Sequence, residues 1–129
     1  MKRCVAILVV AVGATACSSN GLSSLPLPAP TVGSGGYRIT AVFSNALNLP
    51  ASAKVKLAGA DVGQMESMVA RNYTAVTTIR IMDGVRLPQG STAELRSATP
   101  LGDVFIALKP PPGASPATPL LKDGDTIGL

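Results

Sequence analysis

The chain has 129 residues, 47% hydrophobic and only 3% aromatic, with eleven basic and seven acidic side chains, two cysteines and no histidine. That length holds one small domain, and with no histidine and so few cysteines the usual groups of nucleophilic catalysis and of a metal centre are missing, so neither enzyme activity, a metal site nor a cofactor is expected. The net charge of +4 includes Lys2 and Arg3. Beyond them nine bases face seven acids with no basic stripe among aromatics, which argues against nucleic-acid binding.

Lys2 and Arg3 precede an apolar stretch at residues 5–12, followed by Gly13-Ala-Thr-Ala16 and then Cys17. A charged start, a short apolar core and small residues form the layout of a secretory signal, so residues 1–16 are expected to be a cleaved signal peptide. The core is too short to be retained as an anchor, because a spanning helix takes about 20 apolar residues. Ala14-Thr-Ala-Cys17 fits a loose lipobox in which Cys17 is acylated, with alanine at the position where leucine is usual. Ala14-x-Ala16 also suits ordinary signal peptidase. The polar run Ser18-Ser-Asn-Gly21 that follows Cys17 favours lipidation. Each buried acyl methylene contributes roughly 0.8 kcal/mol, so two or three chains hold a domain on a membrane and one does not. Cys4 leaves with the signal, so the mature chain makes no internal disulfide. Its stability must come from packing or assembly, since a fold of about 75 residues buries only a little over 60% of its unfolded surface.

Residues 17–36 read as a lipidated tether rich in Ser, Pro and Gly, with Leu25-Pro-Leu-Pro-Ala-Pro30 favouring extended polyproline-like chain. Gly33-Ser-Gly-Gly36 lacks the lysine and following helix of a phosphate loop and reads as linker. Period-two alternation then begins. Tyr37, Ile39, Ala41 and Phe43 share one face against Arg38, Thr40 and Ser44, and Val55 and Leu57 alternate with Lys54 and Lys56. Tyr73, Ala75, Thr77, Ile79 and Ile81 make a longer strand, whose fairly apolar second face places it centrally. Residues 92–97 and 104–108 complete the set, with Arg71-Asn72 and Asp83-Gly84 as turn signals. Pro110-Pro-Pro-Gly113 ends the domain, and the proline-rich tail at 113–129 has room for one short strand. Asp123-Gly-Asp125 lacks the downstream glutamate of a calcium loop and reads as a solvated turn.

Four signatures stand in order: Phe43-Ser-Asn-Ala-Leu-Asn-Leu-Pro50, Lys54-Val-Lys-Leu-Ala-Gly-Ala-Asp-Val-Gly63, Leu87-Pro-Gln-Gly-Ser-Thr92 and Pro100-Leu-Gly-Asp-Val-Phe-Ile-Ala-Leu108. An aromatic strand, an asparagine-rich loop to a leucine, a basic strand into Gly-x-x-Val-Gly, a Leu-Pro turn and a closing Leu-Gly strand resemble the mammalian cell entry (MCE, MlaD-type) family. The resemblance covers residues 37 to about 110 and implies an all-β fold, a small seven-stranded β-barrel at residues 37–112. It also implies a component of a six-domain ring that carries lipid between membranes. Even an eight-stranded barrel has an interior barely wide enough for its own side chains or one small ligand, so lipid would pass between subunits.

Within this family the chain resembles the lipoprotein member (E-type, LprK/LprN-like) of actinobacterial Mce systems. That likeness implies as partners a lipid substrate, other Mce-family subunits in a heterohexamer, a YrbE-type permease with its ATPase, and a membrane reached through the lipid anchor on the extracytoplasmic face. In the family, the loop before the closing strand projects apolar side chains into the pore. Here that loop carries Pro100 and Leu101, and a core leucine at a strand start is the competing account of Leu101. Gly59, Gly63, Pro88 and Gly102 read as structural turn or bulge positions, and Asp61 as a turn acceptor. Lipoprotein members continue into a helical region, whereas this sequence ends at Leu129, which leaves open a short ring component or a truncated or split product. A stand-alone surface lipoprotein binding a host or cell-wall partner is the alternative.

Overall fold

The computed structural model describes residues 35–128; the expected signal peptide, Cys17 and nearly all of the tether lie outside the described residues. Seven strands form one sheet: β1 (Tyr37–Phe43), β2 (Lys54–Leu57), β3 (Ala60–Arg71), β4 (Thr74–Ile81), β5 (Thr92–Ser97), β6 (Val104–Lys109) and β7 (Thr126–Ile127). Their order across the sheet is β5-β6-β2-β3-β4-β1-β7, antiparallel except where β2 meets β6 and β1 meets β7. The sheet curls into a half-barrel, because one face of every strand turns towards the same core. Ile39, Ala41 and Phe43 enter it from β1, Val55 from β2, Val62 and Met65 from β3, Ile79 and Ile81 from β4, Ala93 from β5, Ile106 and Leu108 from β6, and Ile127 from β7. Each large apolar side chain fully buried this way contributes roughly 1.5–3 kcal/mol. The barrel interior is thus filled by the chain's own side chains, Phe43, Leu87 and the isoleucines foremost.

The sequence reading did not mark β3 as a strand, although it is the longest of the seven. The reason lies in two bulges. Val55 pairs with Gly63 while Lys56 pairs with Asp61, and Met65 pairs with Ile79 while Ser67 pairs with Thr78, so Val62 and Glu66 are extra residues on β3. The extra residues break the period-two series, so that the buried apolar positions of β3, Val62 and Met65, fall three apart. The first bulge also needs Gly63, because a Cβ there would lie 2.3 Å from the Arg80 carbonyl oxygen. Asp61, expected as a turn acceptor, is instead a β3 residue whose carboxylate meets Lys54 Nζ at 3.0 Å and Lys56 Nζ at 3.2 Å.

Two turns define the ends of β3. Ala58 (φ 50°) and Gly59 (φ 86°) link β2 to β3, with Leu57 and Ala60 paired across the turn. Positive φ at both central residues is the geometry that matches strand twist in a two-residue hairpin. The same geometry joins β3 to β4 through Asn72 (φ 48°) and Tyr73 (φ 62°). This corrects the reading of Tyr73 as the first residue of the long strand and of Arg71-Asn72 as the turn. Tyr73 is fully exposed at the tip, and β4 begins at Thr74.

The proline-rich tail, which has room for one short strand, supplies β7 and packs against the same core. Gln89 N–H donates to the Pro119 carbonyl and Leu121 N–H to the Leu87 carbonyl, each at 2.7 Å, forming a short bridge of Pro88 with Leu120. The tail then delivers Thr126–Ile127 as a parallel partner of β1 and buries Ile127.

An aromatic side chain at positive φ is strained, and Asn-Gly is the preferred pair for such a turn. Tyr73→Gly is therefore expected to stabilise the domain by about 1 kcal/mol, which thermal melting would register as a rise of roughly 4–8 °C. An unchanged or lower melting temperature would contradict the strain.

Candidate functional site

The hairpin between β5 and β6 closes at Ser97 and Val104, and its six-residue loop is shaped by a tight turn. Gly102 N–H donates to the Thr99 carbonyl at 3.2 Å, with Pro100 and Leu101 as the central residues and Gly102 following at φ 103°. Proline at the first central position pre-sets its φ, and the glycine accepts the left-handed backbone with no Cβ to clash. Ala98 N–H to the Asp103 carbonyl at 2.7 Å and Ser97 Oγ to the Thr99 carbonyl at 2.6 Å tie the base of the loop. Leu101 is 98% exposed at its apex. That exposure removes the competing account of a core leucine. A leucine held in water by a tight turn adds nothing to this domain's core.

Chain direction shows which end of the sheet this loop occupies. β5 ends and β6 begins there, β3 ends there, and so does β1, while the N-terminal end of β1 lies at the opposite end beside Gly63 and Ile81. Leu47 (72% exposed), in the connection after β1, and Tyr73, at the β3–β4 tip, point towards this same end. Beside the Leu101 loop a groove of about 360 Å³ is lined by Pro50, Ala53, Lys54, Lys56, Val104 and Phe105, among others. Lys56 Nζ stands 5.5 Å from the centre of the Phe105 ring, within the reach of a cation–π contact. Pro100 sits exposed beside Leu101. Pro88 is remote from this loop in chain terms and begins a turn in which Ser91 N–H and Oγ both donate to its carbonyl. Gly59 lies in the β2–β3 turn and Gly63 in the β3 bulge, so neither joins Leu101.

The second bulge builds a charge cluster that the sequence did not disclose. Arg38 and Arg80 are direct cross-strand partners, a like-charge pairing that is unfavourable by itself. The bulged Glu66 places one carboxylate oxygen 2.6 Å from Arg38 Nε and gives the other to Arg80. Among the described residues no group of three or more His, Cys, Asp or Glu side chains is placed to hold a metal ion. No helix of the described residues is long and apolar enough to cross a membrane.

An all-β domain with a filled interior and an apolar turn at its rim is a scaffold that presents side chains rather than a vessel that encloses a ligand. The MlaD protein family matches residues 35–111, and the chain belongs to that family. No curated protein matches the chain. Among solved structures the fold is similar to a chain of the Acinetobacter MlaFEDB complex in its ATP-bound Vtrans1 conformation. The TM-score is 0.64 at 17% identity, over 74% of this chain and 76% of that one.

Arg38's hydrogen bond, seconded by Arg80's, holds the Glu66 carboxyl below its ordinary value of 4.5. A carboxyl lowered in the folded state stabilises it above the unfolded value and loses that contribution as pH falls through the folded one. Glu66→Gln is thus expected to lower the melting temperature at neutral pH and to flatten the loss of stability expected of the native protein below pH 4.5. Parallel melting curves of the two proteins across that range would contradict the assignment.

Proposed function

We propose that this chain is a lipid-anchored subunit of an MCE-type ABC lipid transporter, contributing one domain to a ring whose central pore passes the lipid. The observation that carries this reading is Leu101, 98% exposed at the apex of a rigid turn on a domain whose interior is already filled. With no room inside the half-barrel, an acyl chain is served only by apolar side chains presented outwards, and several such loops around a ring would line a passage without water-binding groups. The chain performs no chemistry in this scheme. Energy comes from the ATPase through a YrbE-type permease, and this domain supplies an apolar wall at Pro100 and Leu101. Its structural relative, a chain of a complex in an ATP-bound conformation, is in keeping with such partners.

In the same proposal, residues 1–16 are removed on export and Cys17 carries the acyl chains. Residues 17–36 tether the folded unit to the extracytoplasmic face of the cell membrane. The lipobox at Cys17 and the four family signatures support placing the chain as the E-type, LprK/LprN-like lipoprotein of an actinobacterial Mce system, one of six different subunits. The substrate is a fatty acid, sterol or mycolate-type lipid.

Leu101→Asp tests the pore. Because the side chain is in water, the variant is expected to melt at the native temperature, while a charge in the apolar passage should reduce lipid uptake to about the level of a deletion strain, since an uncompensated carboxylate in apolar surroundings costs several kcal/mol. Uptake of radiolabelled lipid equal to that of the native protein, measured in cells that depend on this chain, would refute the assignment.

Cys17→Ala tests the anchor. The variant is expected to leave the membrane fraction, and mass spectrometry of the native protein should find a mature N-terminus at Cys17 carrying acyl groups. Recovery of an unmodified native protein from the soluble fraction would overturn it.

A further inference from the structure

The outer face of the sheet, turned away from the core, is of two kinds. Across β3, β4 and β1 it carries a valine row, in which Val69 pairs with Val76 and Val76 with Val42. β2 accompanies β3 only as far as Gln64, so residues 66–71 also form an open strand edge. Such an edge offers backbone groups to any added strand and selects none. Across β2, β6 and β5 the same face is hollowed. Register puts Lys54 and Lys56 of β2, Phe105, Ala107 and Lys109 of β6, and Arg96 of β5 on this side, while Val55, Ile106, Leu108 and Ala93 enter the core. Ala107 is buried without belonging to the core, because its longer neighbours stand over it on the outer side. The hollow has two parts. One is the groove of about 360 Å³ beside the Leu101 loop, and the other, of about 390 Å³, is lined by Lys56, Arg96, Phe105, Ala107, Lys109 and Pro110, among others. Phe105 and Lys56 line both, so a single trough follows the β2–β6 seam away from the loop. Each part lies within the roughly 300–1,000 Å³ of small-molecule sites.

We propose that this trough binds one single-chain carboxylic acid, with its hydrocarbon along Phe105 and its carboxylate among Lys56, Arg96 and Lys109. The proposal rests on the transport reading above and adds to it a lipid site outside the pore. The backbone excludes an added peptide strand. From Ile106 to Leu108, β6 is paired with β2 on one side and β5 on the other, so the floor has no free N–H or C=O to offer, and hydrocarbon needs none. Shape excludes a bilayer surface, because Phe105 is half-buried in the floor, whereas a membrane-surface site pushes its apolar side chains outwards. Charge then selects the head. The groove beyond Phe105 is lined by three cations and, among the described residues, by no carboxylate. Lys56 shares Asp61 with Lys54, Lys109 is held by Glu94, and Arg96 has no ion-pair partner among the described residues. Asp61 and Glu94 line neither groove. The planar fork of Arg96 matches a carboxylate and is free to take one. Asp103 lines the groove at the other end, which makes that end the poorer place for an anion. The tail therefore points to the Leu101 loop and the head away from it.

The test uses the full chain in native membranes and a palmitic acid with a diazirine on its chain. Irradiation should label peptides that contain residues 54–58 or 104–110, and the methyl ester of the same probe should label them about tenfold less. Arg96→Gln removes a cation that holds no ion pair within the domain. It should lower labelling by the acid about tenfold while leaving labelling by the ester and the melting temperature unchanged, and Arg96→Lys should restore part of the loss. Equal labelling by acid and ester, or labelling confined to other parts of the chain, would overturn the proposal. Leu101→Asp should lose uptake and keep this labelling, since Leu101 lines neither groove. If the label misses the trough while Leu101→Asp still abolishes uptake, the trough is wrong and the pore reading stands. If lipid uptake does not depend on this chain at all, the transport reading fails and the trough fails with it as a transport site.

Discussion

The bending of β3 governs the shape of this domain. A regular twelve-residue strand would alternate its side chains evenly between the two faces and stay nearly straight. Here Val62 and Glu66 are extra residues, and each turns the strand further and increases its twist. The first bulge lets Val62 and Val55 reach the same core, at a point where β3 approaches the Arg80 carbonyl so closely that only glycine fits at position 63. The second swings a carboxylate between two arginines that would otherwise repel across the β1–β4 pair. Curling the sheet brings β7, from the end of the chain, and β6, from the other half of the sheet, around the same isoleucine-rich centre.

That curvature has a consequence for function. Once the interior is occupied by Phe43, Leu87 and the isoleucines, no space remains there for a long apolar ligand. Any apolar business of the domain is conducted on its outside. Among the described residues the exposed large apolar side chains are few; Leu47, Met68, Val69, Tyr73 and Leu101 lie in segments directed to the end of the sheet away from the start of β1, and Met82 lies at the other end. A polar protein surface with scattered leucines would need no explanation. A rim with a rigid apolar turn on one hairpin and an open strand edge on another is better understood as a surface completed by other molecules.

The ion pairs play a smaller part. Asp61 with Lys54 and Lys56, and Glu94 with Lys109, lie on the outer face with mostly solvent-exposed side chains. Exposed pairs of this kind contribute little and are screened by salt. Glu66 differs because it offsets an unfavourable pairing imposed by strand register, so its removal would leave a repulsion where the others would leave only hydration.

The sequence by itself determined the fold class and most strands. Alternation is a local property, and where the strand itself carries no extra residue, as in β1, β2, β5 and β6, it shows directly in the order of residues. The family was legible for a related reason, since turns such as Leu87-Pro88 and Pro100-Leu101-Gly102 need particular residues at particular places. The tertiary structure alone decided the rest. β3 was hidden because its bulges put core positions three apart, and Tyr73 was misplaced because an aromatic in a β-rich stretch looks like a strand residue until its positive φ is seen. Leu101 could be core or surface by composition, and only the exposed apex of its turn chose between them. The Arg38, Glu66 and Arg80 cluster and the valine row draw on residues as far apart in the chain as Arg38 and Arg80, and Val42 and Val76. Contacts of that kind are created by strand register, which no local pattern along the chain encodes.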